Sequence, residues 1–209
     1  MRRFSAVLLG CMICSGFVSA GLVTSVPPGG VTTTFQSTGA CYPSAASFLV
    51  EGFTVSGNGA ACYDYGDDFG LGANGTWEGF GLIGDDSGST VVTVNLGGLY
   101  ASVGGFMNYD PDLGTAPFIT ALAADGTTVL ATYVLSTDAP ISTGAGSINA
   151  GAFRGISLPT DEIHYFEFGG SFSVMHNITL STTVVPEPSS LLLMGCALAA
   201  VARLRRVRS

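Results

Sequence analysis

Between Val31 and Thr183 the chain alternates short apolar runs with turn-forming residues, and no segment holds a helical period over a useful length. The alternation is clearest at Val91-Val92-Thr93-Val94-Asn95-Leu96. Val92, Val94 and Leu96 share one face and Thr93 and Asn95 the other, which is the two-residue repeat of a half-buried strand. The same reading predicts strands over 31–35, 48–55, 76–80, 90–96, 101–108, 118–123, 127–135, 152–158, 163–168 and 172–180. Turn chemistry separates them at Gly57-Asn58-Gly59, Asp85-Asp86-Ser87-Gly88, Asp125-Gly126 and Gly169-Gly170. The stretch 118–130 reads as a hairpin closing on Asp-Gly. Many short strands with regular turns and no helices predict an all-β fold: a single two-sheet β-sandwich, closed as a jelly roll.

Both ends depart from this pattern and divide the chain into 1–20, 21–183 and 184–209. Met1-Arg2-Arg3 is a charged start, residues 4–17 are an apolar core, and Val18-Ser19-Ala20 supplies small residues at a cleavage position. This is the layout of a secretory signal peptide, with the mature chain expected to start at Gly21. Leu8-Leu9-Gly10-Cys11 has the look of a lipobox but comes too early, leaving a short apolar core. At the other end, the apolar run 191–201 is shorter than the roughly 20 residues of a stable membrane helix. The arginines that follow it favour the cytoplasmic side. A short span with a basic stop suits transient anchoring in the inner membrane, with the body outside. Pro186 and Pro188 hold the preceding backbone extended, where a processing enzyme can reach it.

Pro186-Glu187-Pro188, the apolar run, then Arg203, Arg205 and Arg206 resemble the PEP-CTERM sorting signal of Gram-negative bacteria, over about 25 residues. The same tail has also carried the label of an ice-binding protein C-terminal domain. The resemblance implies recognition by an exosortase and delivery to the cell surface or to an extracellular polysaccharide matrix. An ordinary C-terminal anchor would keep the same topology and leave the protein in the membrane. The stretches from Phe153 to Ile156 and from Val174 to Ile178 are similar to the closing strands of jelly-roll domains in other PEP-CTERM proteins. Those often end in an acidic pair where this chain has His176-Asn177, which weakens any transfer of a metal role.

Charge sharpens the reading of the body. There is no lysine, and of seven arginines only Arg154 lies between the two ends. Fourteen acids against that one base give the body a formal charge of −13. Such a surface repels nucleic acid and anionic lipid, so neither is expected as its partner. Charged residues make up only 11% of the chain and glycines number 30, a balance that suits a β-rich secreted domain better than a cytosolic helical one.

Cys41 and Cys62 are the only cysteines of the body, and in an oxidising compartment a disulfide between them is expected over two free thiols. Asp64, Asp67 and Asp68 form one acidic cluster, with Asp85-Asp86 and Asp110-Pro111-Asp112 as others. Acidic glycine-rich loops can supply a calcium ion with oxygens, but none has EF-hand spacing, and such loops are usually solvated turns, which is the favoured reading. No other cofactor is implied. Trp77, with Tyr63, Tyr65 and Asn74 nearby in sequence, is the candidate glycan-binding group, Tyr100 and Tyr109 being further possibilities. The competing reading makes Trp77 a core residue, packed against Val92, Val94 and Leu96, and is favoured because a lone tryptophan is commonly buried. His164 and His176 are the only imidazoles available as bases, and no Gly-x-Ser-x-Gly or HExxH motif accompanies them. Alternation places His176 with Val174 and Ile178, and His164 with Phe166 and Phe168, on core-facing sides unless a bulge intervenes. Asn74-Gly75-Thr76 and Asn177-Ile178-Thr179 match the glycosylation pattern without bearing on a bacterial export route.

These readings converge on a secreted, non-catalytic protein with a structural or adhesive role in the extracellular matrix. A carbohydrate-binding β-sandwich module, partnered by extracellular polysaccharide, is the alternative. Ice binding and hydrolysis are distant ones, since the threonines form no long regular array and no triad is visible.

Overall fold

The computed structural model describes residues 20–36, 47–57, 61–64, 69–79 and 81–183. In chain order the strands are β1 (Gly21–Val23), β2 (Val31–Thr34), β3 (Ser47–Val50), β4 (Phe53–Gly57), β5 (Ala61–Asp64) and β6 (Phe69–Gly70). They continue with β7 (Thr76–Trp77), β8 (Leu82–Asp85), β9 (Val91–Tyr100), β10 (Ser102–Asn108) and β11 (Phe118–Leu122). The last are β12 (Val129–Val134), β13 (Ala152–Ser157), β14 (Ile163–Gly169), β15 (Val174–Met175) and β16 (Asn177–Ser181). The all-β expectation is met: among the described residues the helical content is a 3-10 turn at Gly72–Asn74 and one α-turn at Leu135–Asp138.

Two antiparallel sheets carry the body. In the first, β10 is the hub: it pairs with β13, which carries β1 at its far side, and with β15, which leads to β8 and β5. β16 also pairs with β10 and carries β2. The second sheet runs β12-β11-β14-β9-β4-β3. Strict alternation along the second sheet sets Ala121, Phe166, Val94 and Val55 in one cross-strand row and Ile119, Phe168 and Val92 in the next, all buried. The first sheet contributes Val103, Met107, Ile156, Met175 and Ile178 to the same core cluster. One apolar interior is therefore shared by both sheets, and its burial is the main favourable term in folding.

The opposite side of the second sheet is polar. Thr132, Thr120, Glu167, Thr93, Ser56 and Ser47 line up across all six strands. Thr120 and Thr132 share a hydroxyl hydrogen bond of 2.9 Å, and the Thr93 hydroxyl donates to Glu167 Oε1 at 2.9 Å. This is the solvent-facing half of the two-residue repeat seen in the sequence.

Three predicted elements differ. The strand expected over 48–55 is the hairpin β3–β4: Val50 pairs with Phe53 across Glu51-Gly52, at φ 46° and 89°. Two consecutive residues at positive φ make the tight turn whose twist matches a hairpin, and Gly52 takes the second at no steric cost. The strand expected over 172–180 breaks at His176. From Met107 to Gly104, three steps on β10 face four steps, Met175 to Thr179, on the other strand. One extra residue in that stretch is a β-bulge. The strand expected over 76–80 reduces to Thr76–Trp77. The short strands β1, β5, β6 and β8 lie outside every predicted range; Leu82–Asp85, fully buried, was masked by the glycines and aspartates around it. The 118–130 hairpin is found as β11–β12, its turn tied by Asp125.

Candidate functional site

Trp77 is fully buried. It belongs to a second, smaller apolar cluster with Phe69, Leu71, Leu82 and Val174, and does not pack among Val92, Val94 and Leu96 as expected. Its indole stacks on Phe106, centroids 5.9 Å apart and planes 8° from parallel, and Nε1–H donates to the Ala150 carbonyl at 2.7 Å. Gly151 is required beside it: a Cβ there would lie 3.0 Å from Trp77 Cζ2 and 2.4 Å from the Met107 carbonyl. With one face against Phe106 and its polar edge satisfied, the ring offers a sugar no open surface. The glycan role expected of Trp77 gives way to a core role.

Asn74 is corrected in the same way. It is buried, its Nδ2 donates to the carbonyls of Tyr109 (3.0 Å) and Ile141 (2.9 Å), and its Oδ1 accepts from Thr143 N. Tyr109, also buried, accepts the Ile141 N–H on its hydroxyl at 3.1 Å. These bonds pin the long connection between β12 and β13 to the end of the first sheet. Arg154 completes the attachment. Its Nε, Nη1 and Nη2 donate to the carbonyls of Ala139, Phe153 and Pro140, each at 2.8 Å. Burial lowers its pKa from the ordinary arginine value, and Tyr109 acts in the opposite direction. The single base of the body thus holds backbone carbonyls, a use that sequence gave no sign of.

The acidic positions are spent on turns. Asp85 is fully buried: Oδ1 accepts from the N–H and hydroxyl of Ser87, and Oδ2 from the N–H groups of Thr90 (3.0 Å) and Gly170 (3.1 Å). Asp110 accepts the Asp112 N–H at 3.0 Å. Among the described residues no three His, Cys, Asp or Glu side chains converge as a metal site. Asp67, Asp68, Tyr65 and Cys41 lie outside the described residues, as do the side chains of Cys62, Tyr63 and Asp64, whose backbone forms β5 opposite β8.

Both histidines sit at irregularities in their strands, and neither joins the buried set that simple alternation assigned. His176 occupies the break between β15 and β16, half-buried, with Nδ1 3.0 Å from the Gly81 carbonyl. At His164 the β14–β9 register shifts between Ile163 and Tyr165. Ile163, Phe166 and Phe168 face the core while His164, half-buried, meets the edge of the Tyr165 ring at 4.7 Å. At His176 the extra residue of the bulge re-aims the side chain. At His164 the extra residues lie on the facing strand, where Tyr100 to Asn95 of β9 spans Ile163 to Tyr165 of β14.

Tyr100 has a different setting. It lies half-buried at the end of β9, on the core-facing parity of Val92, Val94 and Leu96, and lines a cleft of about 390 Å³. Phe53 lies beside it in the same sheet; Val31, Thr33 and Leu180 face them from the first sheet, and Thr182 stands at the lip. Sequence reasoning listed Tyr100 only as a further possibility and missed the others. Their signal was the shared parity: Val31 pairs with Leu180 and Thr33 with buried Ile178, so both point inward from β2.

Residues 184–206 match the PEP-CTERM protein-sorting motif. The match contains Pro186, Glu187, Pro188, Arg203, Arg205 and Arg206, all outside the described residues. Among the described residues no helix is long and apolar enough to cross a membrane. No curated protein and no solved structure matches the chain. The motif is the address of secreted proteins that an exosortase recognises and that are processed at the membrane on the way to the cell surface.

Proposed function

We propose that this exosortase-sorted chain is a non-catalytic component of the extracellular matrix, its two-sheet body serving as a β-sandwich module with a structural or adhesive role. The observation that carries the reading is the sorting motif at 184–206, which follows directly on the last strand of an all-β body. The internal chemistry of that body supports it. The Asp85 carboxylate, the Asn74 amide and the Arg154 guanidinium are engaged in holding loops and turns, and His176 is seated at a bulge, its Nδ1 beside the Gly81 carbonyl. A buried polar network of this kind fixes one conformation of the loops. The partner in this reading is extracellular polysaccharide.

Fractionation of the producing cell with mass spectrometry of the recovered protein tests it. The protein is expected in the surface or matrix fraction, without the segment from about Leu191 onward. Recovery of the intact Arg205-Arg206-Val207-Arg208-Ser209 terminus in the inner-membrane fraction would overturn it.

A further inference from the structure

The cleft beside Tyr100 is the open end of the space between the two sheets. Val31, Thr33, Leu180, Phe53 and Tyr100 all occupy core-facing parities, yet Val31 is 70% exposed, so the interior is left unsealed here. Its lining differs in charge from the body around it. No lining residue is charged, although the body carries fourteen acids. Asp161, at the same lip, directs its Oδ1 to the backbone N–H of Thr183 at 2.6 Å. On the same strand as Thr33, the Thr32 hydroxyl is paired with that of Thr179 at 2.8 Å. Among the described residues, the hydroxyls of Thr33, Tyr100 and Thr182 have no hydrogen-bond partner.

From this geometry we infer that the cleft binds a neutral saccharide unit of an extracellular polysaccharide, an inference that rests on the matrix reading above. The rings of Tyr100 and Phe53 and the side chains of Val31 and Leu180 suit the C–H face of a sugar, and the three free hydroxyls suit its rim. The volume falls in the range of about 300–1,000 Å³ usual for small-ligand sites. An acidic sugar would find no cation in the cleft and a body of the same sign around it. An acyl chain would leave three hydroxyls buried without partners, which is unfavourable.

The test is calorimetric titration of the mature protein recovered from the cell surface. Neutral probes are cellohexaose, maltohexaose, mannohexaose and the producer's own uncharged polysaccharide fraction; polygalacturonate and decanoate represent the charged and acyl classes. At least one neutral probe is expected to bind, and polygalacturonate and decanoate are not. Thr33→Val and Tyr100→Phe each remove one hydroxyl at nearly constant shape, and each should weaken binding about 2- to 10-fold with the melting temperature unchanged. Tyr100→Ala should weaken it further. Silence from every neutral probe with a cooperatively melting protein, preference for decanoate or polygalacturonate, or indifference to all three substitutions overturns the site. Fractionation of the unaltered protein keeps the two claims apart. Matrix recovery without sugar binding removes the site and leaves the matrix reading, whereas confinement to the inner membrane removes the matrix reading whatever the titration gives.

Discussion

Trp77 is the side chain on which the smaller apolar cluster closes. Trp77→Ala should lower stability by about 3–5 kcal/mol in denaturant unfolding. Trp77→Phe, which keeps most of the ring but leaves the Ala150 carbonyl with the Asn108 Nδ2 as its remaining donor, should cost about 1 kcal/mol. Equal stability of wild type and Trp77→Ala would contradict the packing described. Asp125 offers a second measurement. The Thr128 hydroxyl and N–H and the Thr127 N–H hold its carboxylate down from 3.8 to about 2. Because the folded pKa is depressed, its contribution is present above the unfolded value and is lost as pH falls through about 2. Thr128→Val should move the Asp125 titration, followed by NMR, upward towards the ordinary carboxylate value. The burial of Trp77 was legible from its rarity and bulk, but its neighbours were not. Phe106 and Ala150 are brought to it by strand pairing and by a loop anchored far away in sequence, and no local pattern encodes either.

Among strands and turns, the two-residue repeat identified β9 and β14, whose buried residues alternate with half-buried ones, while β10 and β11, buried along nearly their whole length, were legible as apolar runs between turn residues. It failed where a strand is buried on every side, as in β8, or where a turn hides among good strand formers, as at Glu51-Gly52. Gly52→Ala should cost about 1 kcal/mol through the backbone alone, since a Cβ there meets nothing within 4 Å. Asp85→Ala reaches further. It leaves the N–H groups of Thr90 and Gly170 without their acceptor and frees a turn in which Gly170, Ser171 and Phe172 all have positive φ. A loss of about 3 kcal/mol is expected, with faster amide exchange at Thr90 and Gly170 as the local signature. Unchanged exchange at both amides would exclude this role.

For the whole molecule, sequence located the sorting motif and the acidic body ahead of it, because charge segregation and a proline-apolar-basic order are properties of the chain as a string. The open end of the interior was not legible, since it depends on which strands the second sheet leaves uncovered. Replacing Arg203, Arg205 and Arg206 by Ser removes the basic end of the sorting motif. The processed surface form should fall and the unprocessed chain should accumulate, as read by immunoblot of fractions; normal processing would show that the basic residues are dispensable.

The strand pairing also imposes an order in time. Gly21 in β1 pairs with Ser157, and Val31 in β2 pairs with Leu180, so the first strands to leave the cytoplasm find their partners among the last. Contacts so distant along the chain form slowly, because the intervening segment must be closed first. The body therefore cannot be completed piecemeal during export; β2 waits for β16, and β16 emerges immediately ahead of the sorting motif. Processing at the sorting motif thus falls at the same stage as closure of the fold by its last strand.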